Sequence, residues 1–261
     1  MKRTLIHPDL DKIPETFHSL LSDSTVYDSS CSPEAQDLYI EKDCGYFLKS
    51  APKDTLEREA KLTSFFHKKQ LAAEVLAYET FEQDWLLTTK VQGEDCTHSL
   101  YLSDPTQLCE TTAKLLRHLH DLPADDCPVP NRTEGYLAAA ERNYRAGCFD
   151  GSSLCADFHG LSTDAVWQIV ENHGSLLKTD TLLHGDYCLP NIVLNDWRFS
   201  GFIDLDNGGI GDRHIDIYWG LWTLQRNLKT DRYYGRFLDA YGRDRVDIEM
   251  LKIISAIEAF G

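Results

Sequence analysis

His184-Gly185-Asp186-Tyr187-Cys188-Leu189-Pro190-Asn191-Ile192-Val193-Leu194-Asn195-Asp196-Trp197-Arg198-Phe199-Ser200-Gly201-Phe202-Ile203-Asp204-Leu205 is the stretch on which the fold assignment turns. Two apolar runs, Ile192 to Leu194 and Phe199 to Leu205, flank a polar turn around Asp196 to Arg198. The pattern predicts a hairpin centred near residues 197–198. Asn191 and Asp204 then emerge side by side, one inter-strand spacing apart, roughly 5 Å. An amide oxygen and a carboxylate at that spacing suit Mg2+, which prefers hard oxygen ligands and takes one or two carboxylates beside phosphate oxygens. Asp186 lies five residues before Asn191, on the loop that feeds the hairpin, where it can accept a proton from an attacking hydroxyl.

Phosphoryl transfer asks for positioning and charge neutralisation more than for covalent chemistry. The piece still wanting is a cation for the phosphates that stay behind. Upstream, Gln36 to Glu41 and Gly45 to Ser50 flank Asp43-Cys44-Gly45 and predict an antiparallel hairpin. Phe47 and Lys49 share a face of its second strand, because side chains alternate. A helix is predicted over about Thr55 to Lys69, with the apolar stripe Leu56, Ala60, Leu62, Phe65 and Phe66. Glu59 falls beside that stripe instead of on the wet face. Lys49 and Glu59 are either an ordinary surface pair or a phosphate-binding lysine with its ion-pair partner.

The rest of the chain changes character after the strand at Trp85 to Val91 and Gly93. Helical spacing marks Pro105 to Leu122, Gly135 to Arg145, Ser162 to Asn172, Asp216 to Gln225, Arg232 to Tyr241 and Ile248 to Ala259, with one strand at Thr181 to Leu183. The fold class is α/β of the α+β kind, in two lobes: a small sheet-rich amino-terminal lobe and a larger helical one. The division falls near a hinge at 88–93, with residues 1–91 in the first lobe and 94–261 in the second. On a phosphoryl-transfer reading, the first would bind the nucleotide in a cleft there and the second would carry catalysis and the acceptor.

Composition narrows the partners. Twenty-six basic against 42 acidic residues leave a formal charge of −16. That surface repels phosphate backbones and anionic membranes, so neither nucleic acid nor a membrane is a partner. It attracts cations, or it serves solubility alone. No window approaches the roughly 20 apolar residues of a membrane span, and the amino terminus carries no export-type stretch, so the expectation is cytoplasmic. Eight cysteines without a C-x-x-C pair argue against zinc and for reduced thiols. His118 and His120, two apart on a helix, diverge by about 200° and cannot share a metal, which leaves them as surface or interlobe residues. Asp206-Asn207-Gly208-Gly209 lacks the other acids of a calcium loop. Cys188 reads as packing, without a base beside it, and Trp219 with Trp222 reads as core.

At these residues the chain resembles the aminoglycoside 3'-phosphotransferases, within the antibiotic and choline kinases that share the protein-kinase-like fold. Besides 184–191, the resemblance runs through Ser200 to Leu205, Gly211-Asp212-Arg213-His214-Ile215-Asp216-Ile217, Leu115 to Pro123 and the terminal Glu258-Ala259-Phe260. It implies that Asp186 is the catalytic acid-base group and that Asn191 and Asp204 hold Mg2+. It makes Lys49, set by Glu59, the ligand of the α- and β-phosphates, and Phe47 the ring against adenine. Thr89 and Val91 would offer hinge backbone groups, and Ser29 to Glu34, including Ser32, the phosphate loop. ATP is the implied donor, with GTP left open, and a small cationic molecule the acceptor of a monomer or homodimer. Asp157 and Glu258 keep the acidic character of the family's acceptor site. Asn207 departs from it, standing where the family has Arg after Ile-Asp-Leu-Gly, and Arg226 lies near a position acidic in some members. The alternatives are a kinase of another small molecule, such as an amino alcohol or another antibiotic, and a nucleotide-binding module without turnover. The latter has no use for Asp186.

Overall fold

The computed structural model describes residues 3–31 and 35–261, so Ser32 lies outside the described residues. The chain divides into two units: Met1–Gly93 with Ser200–Asp206, and Glu94–Phe199 with Asn207–Gly261.

The first unit contains β1 (Thr4–Ile6), α1 (His18–Leu21), β2 (Thr25–Asp28), β3 (Gln36–Glu41), β4 (Tyr46–Pro52), α2 (Glu57–Lys68), β5 (Val75–Thr80) and β6 (Gln83–Thr89). Its strands pair antiparallel in the order β1-β2-β3-β4-β6-β5. The β3–β4 hairpin sets Leu38 opposite Leu48, Asp37 opposite Lys49 and Tyr39 opposite Phe47. Alternation sends Leu38, Ile40, Leu48, Trp85 and Leu87 to one face, where they bury against Phe17, Leu21 and Val26. The other face, which bears Phe47 and Lys49, receives α2 through Ala51, Leu56, Ala60 and Leu86.

A buried carboxylate decides where α2 begins. Asp84 is fully buried and accepts the Leu56 N–H at 2.9 Å, together with the hydroxyls of Tyr78 and Thr80. Burial alone would raise this carboxyl; the donors, the Leu56 N–H foremost, outweigh it and hold the pKa below the usual range.

The second unit contains β7 (Glu94–Asp95), α3 (Ser99–Leu102), α4 (Pro105–His120), α5 (Arg132–Arg145), α6 (Thr163–His173), β8 (Thr181–Leu183), β9 (Ile192–Asn195), the start of β10 (Arg198–Phe202), β11 (Gly209–Gly211), α7 (His214–Leu228), α8 (Tyr234–Tyr241) and α9 (Ile248–Glu258). Asp104 and Ser162 cap α4 and α6 by accepting amides of their first turns, and Pro105 sits where its missing N–H costs nothing. Tyr136, Val166, Val170, Ile215, Ile254 and Phe260 bury one core between α5, α6, α7 and α9. The expected class holds, an antiparallel sheet in one unit and helices in the other. Among the described residues no helix is long and apolar enough to cross a membrane.

Two expectations need correction. The hairpin turn is Asp196-Trp197, with φ of 49° and 64°, so its centre falls one residue earlier than expected. Trp197 tolerates this left-handed backbone because its ring packs edge-on against Tyr101 at 5.0 Å. β10 stops at Phe202, so Asp204 lies past the ladder, itself left-handed at φ 57°. The second correction is to the expected continuous lobe 94–261, because Ser200–Asp206 belongs to the first unit. There the Phe202 N–H donates to Leu71 O at 2.7 Å and its ring meets Phe66 edge-on. The space at Gly201 is tight, since a Cβ there would meet Val91 Cγ1 at 3.0 Å.

Asp84→Ala strands the Leu56 N–H and frees the start of α2. An unpaired buried donor costs about 1–3 kcal/mol, so the denaturation midpoint should fall accordingly. A wild-type midpoint by circular dichroism would show that α2 does not need this cap.

Candidate active site

In the second unit the loop carrying Asp186 hangs from one buried carboxylate. Asp216, in the first turn of α7 and 0% exposed, accepts the His184 N–H and the Gly185 N–H, both at 2.8 Å. Its Oδ2 also meets His120 Nε2 at 3.1 Å, and His120 Nδ1 meets the Tyr241 hydroxyl at 2.8 Å. A carboxylate buried this far needs such a full set of donors. Burial pushes the His120 pKa down against the pull of Asp216, which favours the neutral ring. His120 is thus a buried strut, not the surface or interlobe residue expected. Asp216 was not singled out by the sequence reading either; its signal was one acid inside the apolar helix start Ile215-Asp216-Ile217.

Gly185 has φ +85°, and a Cβ there would lie 1.7 Å from the Asn207 carbonyl oxygen. Only glycine fits. The same carbonyl accepts Arg132 Nε at 2.8 Å while Asn207 Oδ1 accepts Arg132 Nη2 at 3.1 Å, so backbone and side chain of Asn207 are both fixed. Asp186 follows, half-buried, with Asn191 Nδ2 donating to its Oδ2 at 2.8 Å and to its main-chain oxygen at 3.0 Å. Asn191 thereby orients the Asp186 carboxylate and turns its own Oδ1 away from that pair. Burial and the neighbouring Asp186 push the Cys188 thiol well up, which leaves it inert as a nucleophile.

In the first unit Lys49 is gripped from two sides. Its Nζ lies 3.1 and 2.9 Å from the Glu59 oxygens and 3.0 Å from Asp204 Oδ1. The surface-pair alternative fails, because the side chains are only 18% and 9% exposed. Burial alone would lower the ammonium pKa; the carboxylates of Glu59, Asp204 and Asp37 outweigh it and keep Lys49 charged far above its usual range. Asp37, not singled out from sequence, stands opposite Lys49 on β3, and burial pushes it up to about 6. Phe47 is half-buried, its ring tilted against Tyr39 at 5.3 Å. The Thr89 N–H already donates to Glu74 O at 3.0 Å, whereas the Val91 N–H makes no hydrogen bond among the described residues.

The candidate acceptor residues of the second unit carry partners of their own. Asp157 pairs with Lys252 at 2.7 Å. Arg226 lies over the Trp222 ring at 5.0 Å. Glu258 accepts from the Tyr136 hydroxyl at 2.7 Å and from Trp219 Nε1 at 3.0 Å. Burial raises the Glu258 carboxyl to about 7 against the pull of these donors, and the nearby Asp186 charge adds to the rise. Trp219 packs against the core as expected while donating to Glu258, and Trp222 is half-buried with Arg226 over its ring.

A sheet unit presenting a carboxylate-bound lysine and a helical unit presenting an amide-oriented aspartate define a kinase-like phosphotransferase. A match to the Phosphotransferase enzyme family spans residues 36–251. The chain is 47% identical over 97% of its length, and 97% of the relative's, to a probable aminoglycoside 3'-phosphotransferase of Lactococcus lactis subsp. lactis (strain IL1403). It superposes on the crystal structure of an aminoglycoside-3'-phosphotransferase of type VIII with TM-score 0.79, covering 98% of this chain and 100% of that one at 22% identity. An aminoglycoside phosphotransferase from Streptomyces rimosus in complex with ADP and streptomycin superposes with TM-score 0.69, over 86% and 90% of the two chains at 21% identity. The chain belongs to the phosphotransferase enzyme family and has its kinase-like fold.

Two outcomes follow from this geometry. Gly185→Ala drives a Cβ into the Asn207 carbonyl, so turnover should collapse and the Asp186 loop should lose amide protection in hydrogen exchange. Near-native exchange would mean that the loop can move off the Asn207 carbonyl without loss. For Glu258, a folded pKa raised from the ordinary 4.5 to about 7 means that the folded state keeps a proton the unfolded chain has lost. Its contribution to stability therefore falls as pH rises from about 4.5 to 7 and is level on either side. Glu258→Gln should remove that part of the decline, read as the wild-type-minus-variant difference in urea midpoints. Parallel profiles would put Glu258 in water.

Proposed function

We propose that this phosphotransferase moves the γ-phosphate of ATP to a hydroxyl of an aminoglycoside, the 3' type for which its Lactococcus relative is named. The observation that carries the reading is Asp186, a carboxylate turned by Asn191 at 2.8 Å on a loop fastened by Asp216. As the acceptor oxygen attacks the γ-phosphorus, Asp186 takes its proton, the bond to the β–γ bridging oxygen breaks, and ADP leaves. Lys49 neutralises the phosphates that stay on the nucleotide, and Glu59 holds it there. Phe47 is the ring for adenine and Val91 the hinge donor, with Thr89 contributing its carbonyl.

Asn191 and Asp204 are the Mg2+ ligands of this reading. The donor set fits: the Asn191 amide oxygen is turned from Asp186, and the Asp204 side chain is 58% exposed beyond its contact with Lys49. When bound, Mg2+ neutralises phosphate charge. The free cysteines agree with a reducing cytoplasm, where ATP is at hand.

A second reading, another small acceptor of lower charge, is favoured by two contacts. Lys252 neutralises Asp157, and Arg226 brings a guanidinium beside Trp222. With Asp157, Glu258, Asn207 and Arg226 lining the acceptor side, polyamine sugars meet fewer free carboxylates than in the family pattern. The aminoglycoside range should be narrow and KM high.

Incubation with Mg2+, ATP and a panel of aminoglycosides and amino alcohols, followed by mass spectrometry, tests both readings. A gain of about 80 Da on an aminoglycoside is the expected product. Asp186→Asn should lower kcat by about 10²–10⁴-fold with nucleotide affinity retained. Phosphorylation of amino alcohols alone would select the second reading, and a fully active Asp186→Asn variant would overturn both.

A further inference from the structure

Successive residues of α2 reach the segment that bears Asp204. Glu59 reaches it through Lys49, which bonds Asp204 Oδ1 at 3.0 Å. Its neighbour Arg58 grips Asp206 with a two-pronged fork, Nε to Oδ1 at 3.0 Å and Nη2 to Oδ2 at 2.6 Å. Asp204 itself sits at φ 57°, in the left-handed region that is uncommon for a non-glycine residue, though less so for aspartate. It is therefore held from both directions, by an ammonium on its own side chain and by a guanidinium two residues on. The Arg58 and Asp206 side chains are 46% and 40% exposed, so their pairing contributes little to stability. What the fork supplies is direction, because a planar guanidinium bound through two nitrogens fixes the orientation of the carboxylate as a single lysine contact does not.

We propose that Arg58 and Asp206 are positioning residues for the phosphoryl-transfer site, acting through Leu205 to hold Asp204 in the orientation in which it meets the nucleotide's metal. The proposal rests on the assignment of Asp204 made above. Without the fork Asp204 relaxes out of its left-handed state, and Asp206, no longer neutralised, competes for Lys49 beside Glu59 and Asp37.

Calorimetry with Mg2+ and a non-hydrolysable ATP analogue tests this without turnover. Arg58→Ala and Asp206→Asn should each weaken binding about tenfold or more, the size seen when a metal ligand loses its orienting partner. The Tm should stay within about 2 °C of wild type, as for other exposed pairs. The double variant should be no worse than either single, because both remove one contact. Arg58→Lys, which keeps the charge and loses the fork, should recover only part of the affinity. Amides of residues 203–207 should exchange faster in Arg58→Ala while those of α2 do not. Wild-type affinity in Arg58→Ala, or losses that add in the double variant, would overturn the proposal. So would full recovery in Arg58→Lys, which would make the effect one of charge alone. If wild type itself failed to bind the magnesium nucleotide, the phosphotransfer reading would fall and this inference with it.

Discussion

One carboxylate, that of Asp216, sets the terms for the second unit. With no exposure to water it must find its donors inside, and it finds them in two consecutive amides of the His184-Gly185 loop and in the ring of His120. That single requirement ties α7 to the loop, to α4 through His120, and to α8 through the Tyr241 hydroxyl beyond it. The loop's last free coordinate is the backbone of Gly185, and the carbonyl of Asn207 closes it by contact. Asp186 therefore inherits its position from Asp216, Gly185 and Asn207. Leaving the buried Asp216 charge without its donors would be costly, so the loop and the acid hold each other in place.

The first unit solves the same problem with the opposite sign. Lys49 is taken from water by α2 and the sheet, and Glu59, at the edge of an apolar stripe, meets it with both oxygens. The placement of Glu59 depends on where α2 starts, and that depends on Asp84, another buried acid with a full set of donors. Both units thus use buried carboxylates as fixed points for less deeply buried groups, Asp186 in one and Lys49 in the other.

Much of this was legible in the sequence where local pattern decides structure. The β3–β4 hairpin, the strand at Thr181–Leu183 and the helices at Pro105–His120 and Ile248–Glu258 follow from alternation, helical spacing and prolines. The Lys49–Glu59 pair was legible as an anomaly, an acid beside an apolar stripe. What escaped depends on contacts between residues far apart in the chain. Asp216 and His120 are 96 positions apart, and no periodicity announces that a histidine near a helix end is buried by a remote acid. The hairpin centre slipped by one residue because Trp197 adopts a left-handed backbone for which its sequence carries no sign; Tyr101 supplies the reason. Helical spacing placed Trp219 in the core correctly, but it does not report that Trp222 lies half-buried under Arg226.

The turn after Leu205 obeys the same rule. Asp206 and Asn207 bring a charge and an amide into it, where an unpaired polar group is costly. Each has found an arginine: Asp206 takes the fork of Arg58, and Asn207 takes two nitrogens of Arg132. The Asn207 carbonyl, oriented by Arg132, is the same atom that forces glycine at 185. Both groups are therefore satisfied inside their own units. The second unit also carries looser contacts, Arg226 over the Trp222 ring and the Asp157–Lys252 pair. Charge is thus held in two ways. Buried acids such as Asp216 and Asp84 have complete donor sets, whereas pairs nearer the surface such as Asp157 with Lys252 can rearrange at little cost.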